Sequence, residues 1–258
     1  MSNKMTDRLD QQSIVNLARQ QYETQQKSKL PSNRVELVSK GLVYPENTPM
    51  RAGFVDMRYM SAYDEDILTN STYIKAGIVF NKLLESVIVT PGIIVDDLCP
   101  FDIEGLVIAA RAMSYSNKYP VNVTHPVTGK VLQREIDLTA ITSRPFTLNP
   151  DKNGEFEYQT DSIQIKYRYI TSAQAEQIKT DNTISNIMEY MIREVNGNRD
   201  REFITNFLRY EFRAGLAKQF RQEVLNNAPG LNMQLDFEGD GGDTFTSGFQ
   251  IGPDLFWF

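Results

Sequence analysis

His125 is the only histidine in this sequence and Cys99 the only cysteine, so between them they limit the nucleophilic chemistry available. A serine or cysteine nucleophile is ordinarily activated by a neighbouring imidazole, so any such pair has to use His125. Cys99 with His125 is the single thiol option. Its context argues against it, because His125 opens the stretch His125-Pro126-Val127-Thr128-Gly129, which reads as a hairpin turn. The patterns HExxH, CxxC, GxxxxGK[ST] and GxGxxG are absent. Zinc hydrolysis, nucleotide hydrolysis on a phosphate loop and dinucleotide redox chemistry therefore lose their usual sequence support.

Two acidic features remain. Asp96-Asp97 follows Ile93-Ile94-Val95, as a magnesium-binding aspartate does at a strand end. No phosphate loop accompanies it, and capping of the helix that begins near Pro100 is the simpler role. Asp236, Glu238 and Asp240, followed by Gly241, imitate the first half of a calcium loop. That loop needs a bidentate Glu at its twelfth position, where this chain has Ser247. The residue inventory contains no recognisable active site, and we expect no catalysis, no bound metal and no cofactor.

The elements around these residues are mixed. Residues 1–29 are Gln-rich with a thin apolar stripe of Ile14, Leu17 and Ala18, and read as an arm with nascent helix. Ser61 with Asp64 is a capping-box pattern that opens a helix over Ala62–Leu68. Apolar spacing predicts further helices over Thr72–Val89 and Phe101–Ser114, the second with Asp102 and Glu104 in its positive first turn. Tyr119 to Leu138 reads as a hairpin, and Ile163, Ile165, Tyr167 and Tyr169 alternate as a strand does. Two long helices are expected over Ala173–Val195 and Arg199–Asn226, the second with Phe203, Phe207, Tyr210, Ala214, Ala217 and Val224 on one packing face.

The chain has 258 residues, 41% hydrophobic and 23% charged, with net charge -6. That is the balance of a folded protein with one to two domains, with no overall field to attract nucleic acid or an anionic membrane. The longest apolar stretch, 76–95, is broken by Asn81, Lys82, Glu85 and Pro91, so no membrane span is expected. A single cysteine fits folding in a reducing cytosol. The end of the chain is the most suggestive part physically. Phe249, Ile251, Leu255, Phe256, Trp257 and Phe258 concentrate apolar mass in a Gly- and Asp-rich segment. Such a tail has to dock, either on its own domain or on a neighbouring subunit. We assign these six residues as a partner-binding set.

Several stretches resemble one family. Leu30-Pro31-Ser32, then Gly41-Leu42-Val43-Tyr44-Pro45, then the run from Arg58 to Asn70, are similar to the opening of the T-even-type bacteriophage baseplate hub assembly proteins. The run Met60-Ser61-Ala62-Tyr63-Asp64-Glu65-Asp66-Ile67-Leu68-Thr69-Asn70 is the most specific part. The family's Arg-x-x-Ser-Tyr pattern has its counterpart in Arg111, Ser114 and Tyr115. The resemblance covers about 30–141 and returns from about 203 to the end.

Many relatives also carry two Cys-x-x-Cys knuckles, the second before a terminal Phe-Phe-Trp. The resemblance places the matching positions at His125, Thr128, Gly239 and Gly242, with Asp254-Leu255-Phe256-Trp257 following. Three of these four positions have no ligating side chain, so a structural zinc site is not expected. The hairpins should then be held by packing of Val121, Val123, Val131, Leu132, Ile136, Phe237, Phe245 and Phe249.

The resulting expectation is an α+β fold, predominantly helical, with β-hairpins resembling a metal-free zinc ribbon. Residues 30–230 are expected to form one domain with a β insertion at about 142–172, followed by the C-terminal segment 231–258. The resemblance implies a structural or assembly protein of the tail baseplate hub, located in the virion and acting by binding. Its implied partners are other hub and tail proteins, the tape measure protein among them, within a hetero-oligomeric assembly. The rival readings are a transient tail assembly chaperone and a metal-dependent enzyme using Asp96 or Asp97.

Overall fold

The computed structural model describes residues 30–249 together with Leu255 and Phe256. The arm expected at 1–29 lies outside them. Mixed α and β structure follows in short pieces, and every strand pairing is antiparallel. Strands β1 (Ser32–Glu36) and β2 (Phe54–Arg58) form one hairpin. The long loop between them folds onto itself: Gly41 has φ +76°, and a Cβ there would lie 2.6 Å from the Met50 carbonyl. Only glycine fits such a close approach.

The helical section begins as expected. Helix α1 (Ala62–Thr69) starts at a capping box in which Ser61 and Asp64 bond reciprocally. The next helix was expected to be continuous over Thr72–Val89, but it is broken into α2 (Ser71–Ala76) and α3 (Val79–Val87). Gly77, left-handed at φ 71°, stops α2 with backbone bonds to Ile74 and Tyr73. The apolar stripe continues past the break, and that hid it. Helix α4 (Pro100–Ser114) is the longest, and Leu106, Val107, Ile108 and Ala110 bury it in the core.

The β3 (Lys118–Thr124) and β4 (Val131–Asp137) hairpin forms where alternation predicts it, with Tyr119, Val121 and Val123 buried. The expected β segment forms β6 (Gln164–Tyr167), which pairs with β5 (Phe156–Gln159) on one side and with a third strand on the other. The third strand, β7 (Ile192–Val195), comes from a stretch expected to be helical. The predicted helix is instead α5 (Ser172–Ile178), α6 (Ile184–Met191) and then this strand, whose buried ends Ile192 and Val195 pair with β6. Tertiary pairing has overridden helical periodicity there.

The second long helix is likewise divided. Helix α7 (Arg201–Asn206) runs into a π turn at Phe207–Glu211, and α8 (Ala214–Asn226) begins afresh. The wider π turn rotates Tyr210 off the packing face, leaving it 79% exposed. Strands β8 (Gln234–Glu238) and β9 (Thr244–Gly248) close the fold as a final hairpin. One hydrophobic cluster runs from Leu37 through the helices to Phe237, Phe245, Phe249, Leu255 and Phe256. Among the described residues no helix is long and apolar enough to cross a membrane.

Candidate functional site

Two junctions join distant parts of the chain, and the stretches singled out in the sequence meet there. The first is built around α4. Arg58, at the end of β2, is bidentate to Asp64 at 2.7 and 2.9 Å, and both side chains are almost wholly buried. Burial alone would raise the Asp64 pKa. Hydrogen bonds from Arg58, Ser86 and Ser61 outweigh it and hold the carboxyl below its ordinary value. The backbone N–H of Met60 donates to Ser114 Oγ at 2.9 Å, and Tyr115 Oη donates to Glu65 at 2.7 Å. Burial first, and the Glu65 bond second, push the Tyr115 hydroxyl up to about 12.

Arg111, one helical turn before Tyr115, donates from Nε to the Leu255 carbonyl at 2.9 Å and from Nη1 to the Ser116 carbonyl. Its guanidinium also lies 5.0 Å from the Tyr115 ring centre. The Phe256 ring packs against Phe80 and Tyr115, at centroid distances of 6.1 and 6.3 Å. The run Arg58–Asn70, the residues Arg111, Ser114 and Tyr115, and the C-terminal segment are therefore one assembly of side chains. Sequence reasoning marked all three and missed that they touch.

A buried carboxylate supports the same helix from its other end. Asp102 accepts from Ser39 N and Oγ at 2.8 and 2.7 Å and from Tyr44 Oη at 2.6 Å. Tyr44 Oη in turn accepts from Cys99 N. Burial raises the Asp102 pKa, against the hydrogen bonds that lower it. Asp102 lies in the first turn of α4 as expected, whereas Glu104 does not, and the Asp102 carboxyl also anchors the loop before β2 through this network.

The second junction joins the β3–β4 turn to the β8–β9 turn. His125 Nδ1 accepts from the amides of Val127 and Thr128 at 3.2 and 3.3 Å, and Nε2 lies 2.7 Å from Asp243 Oδ2. A nitrogen accepting two N–H bonds carries no proton, so Nε2 is the donor to Asp243. The His125 ring rests 4.5 Å from Phe245. Asp240 is paired with Lys130 and with Arg134 Nη2, and Arg134 Nε donates to the Glu238 carbonyl. These bonds hold the Asp240 and Asp243 pKa values below the ordinary range.

The four knuckle positions are thus brought to adjoining turns, but a His–Asp contact joins them. A Cβ on Gly239 would meet the Asp243 carboxylate, while one on Gly242 meets nothing but would sit at φ +80°. The packing expected beneath the turns is present with one exception. Val121, Val123, Leu132, Ile136, Phe237, Phe245 and Phe249 are buried, whereas Val131 is 62% exposed on the outer face of β4.

The other candidate chemistry is dispersed. Cys99 is buried ahead of α4 and its thiol pKa is pushed far up by desolvation. His125 lies in the β3–β4 turn, bonded to the partners named above. Asp96 accepts from Asn81 Nδ2, and the N-cap of α4 is Cys99, so neither Asp96 nor Asp97 caps that helix. Asp236 accepts from Thr246, across the hairpin. Among the described residues, no three His, Cys, Asp or Glu side chains converge to hold a metal ion.

Of the six tail residues assigned to partner binding, Phe249, Leu255 and Phe256 are buried within their own chain. Ile251, Trp257 and Phe258 lie outside the described residues.

A family model described as T4 bacteriophage base plate protein matches residues 54–239, well over half of the chain. The chain belongs to that family. It is a phage baseplate protein, which places it in the virion tail in association with other tail or baseplate proteins. The match takes in the Arg58–Asn70 run, all of α4 and the β3–β4 hairpin. No curated protein and no solved structure matches the chain.

Proposed function

We propose that this baseplate protein works at the central hub, as a structural or assembly component that acts by binding other tail proteins. The observation that carries the reading is the junction around α4. The residues resembling hub assembly proteins are spent there on holding α4, α1 and the C-terminal segment together. The groups with chemical potential support the same reading, since Cys99 is buried and His125 and Asp102 are engaged in structural hydrogen bonds. Such a molecule offers partners a fixed shape. Its partners in this reading are hub and tail proteins, the tape measure protein among them, assembled in the host cytoplasm.

The aromatic terminus then has two parts. Leu255 and Phe256 latch it in cis. Ile251, Trp257 and Phe258 are the residues we assign to contact with a neighbouring subunit. In place of the family's thiolates, we assign the joining of the two turns to His125 with Asp243 and to Asp240 with Lys130 and Arg134.

Mass spectrometry of purified virions tests the structural role against the rival, a chaperone released after assembly. A stoichiometric signal co-purifying with baseplates is expected. Its absence from virions, with abundance in infected-cell extracts, replaces the structural role by the chaperone.

A further inference from the structure

An open cleft of about 790 Å³ lies between β1, α4 and the stretch 138–143. Its apolar lining includes Val35, Ala109, Ala112 and Met113, each only partly buried. One wall is β1, which among the described residues pairs only with β2. The far side of β2 is taken by Ile88 and Val89. Leu37 N donates to the Gly53 carbonyl and Tyr59 N to the Pro31 carbonyl, and these bonds set the phase of the hairpin. The odd-numbered residues of β1 therefore bond to β2, while the N–H and C=O groups of Ser32, Arg34 and Glu36 point off its outer edge. An open edge beside a partly apolar cleft is a template for one more strand.

The side chains along that edge specify what the added strand must carry. Arg34 and Glu36 stand on the solvent face, and Val35 is on the core face beside Val55. Arg34 bonds to Asp56 through Nε alone, at 3.3 Å, and its guanidinium is held over the Phe54 ring. Its two Nη groups stay free to pair. Glu36 has no ion-pair partner among the described residues. An antiparallel strand should therefore set an acid opposite Arg34, an apolar residue opposite Val35 and a base opposite Glu36. Read from its own N-terminus, that strand runs base, apolar, acid. The sequence Arg34-Val35-Glu36 is itself such a strand.

We propose that a second copy of this chain docks here, β1 against β1, about a two-fold axis through Val35. The interface is isologous, so each contact is made twice. Arg34 of each copy lies opposite Glu36 of the other, and both positions carry the outward backbone groups that the new ladder needs. Moving the axis one residue either way sets Arg34 against Arg34 or Glu36 against Glu36, and like charges directly opposite are destabilising. Charge thus selects one register. In that register the two Val35 side chains meet on the core face of a four-stranded sheet, beside the apolar lining of both clefts.

Sedimentation velocity of the full chain should show a reversible, concentration-dependent monomer–dimer equilibrium. Arg34→Glu and Glu36→Arg should each weaken it by about tenfold or more, because each variant alone sets like charges opposite one another twice. An equimolar mixture of the two variants should dimerise about as tightly as the unaltered chain, since every charge then meets its opposite. A variant that merely misfolds gives no such rescue. Cross-linking reads the register directly. Two Val35 positions across the axis lie about 4.5 Å apart at Cα, within reach of a disulfide. Val35→Cys should therefore link two chains about tenfold faster than Asn33→Cys, two residues off the axis, while native Cys99 is buried and stays silent. A chain that is monomeric at every concentration overturns the proposal. So does a mixture no tighter than either variant alone, or equal cross-linking rates.

Discussion

The two junctions do similar work by different physics. Around α4 the ion pair Arg58–Asp64 is buried, with side-chain exposures of 6% and 0%. At the paired turns the carboxylates of Asp240 and Asp243 are half exposed to water. Buried charges are costly to strand, because the surviving partner keeps its desolvation penalty when the other is removed. Exposed pairs are screened and contribute little each, so the turns rely on the apolar layer beneath them. The comparison predicts that the α4 junction fails as a unit while the turns loosen by degrees.

Mutations at the α4 junction should therefore have the largest effects. Arg58→Ala leaves Asp64 buried without its cation and should destabilise the chain by about 3–5 kcal/mol in urea denaturation. Phe256→Ala empties the contact with Phe80 and Tyr115 and should cost a similar amount, about 3–5 kcal/mol. Deleting Gly252–Phe258 should do at least as much damage. A truncated protein of unchanged stability would mean that the terminus does not belong to this core.

The pH dependence separates the two buried carboxylates. Asp64 has a lowered pKa, so its stabilisation is present above the ordinary value and is lost as pH falls through the folded value. Asp102 has a raised pKa, so its contribution is full below the ordinary value and is lost as pH rises through the folded one. Asp64→Asn should accordingly flatten the acid limb of a stability-against-pH curve. Asp102→Asn should flatten the decline on the rising side. Identical curves for both variants would contradict the assignment.

The smallest effects belong to the turns. Asp243→Ala and Asp240→Ala should leave the global denaturation midpoint nearly unchanged while speeding hydrogen exchange in β8 and β9. The change His125→Cys, Thr128→Cys, Gly239→Cys and Gly242→Cys, combined with Asp243→Ala to clear the space, should create one zinc site per chain. Failure of that variant to bind zinc would show that the two turns do not match the relatives' knuckles.

Much of the local structure was legible in the sequence because it rests on local rules. The Ser61–Asp64 box, the helix after Pro100 and the hairpin on either side of His125 each follow from a cap, a proline or a period of two. What was missed depends on tertiary context. Gly77 interrupts an unbroken apolar stripe, β7 is a strand only because β6 is beside it, and the π turn re-aims Tyr210. The site was half legible in the same sense. Arg111, Ser114, Tyr115 and the aromatic terminus were marked as stretches of interest, but no periodicity links Arg111 to a carbonyl 144 residues further along the chain.

The proposed role of this baseplate protein at the hub, binding other tail proteins, is decided by loss of the chain during infection. Electron microscopy of cells infected with a phage carrying an early nonsense codon should show replicated DNA and filled heads but no complete baseplates. Complementation with the intact chain should restore tails, and Arg58→Ala should restore them poorly. Normal tails and infectious particles made without the protein would overturn the hub role.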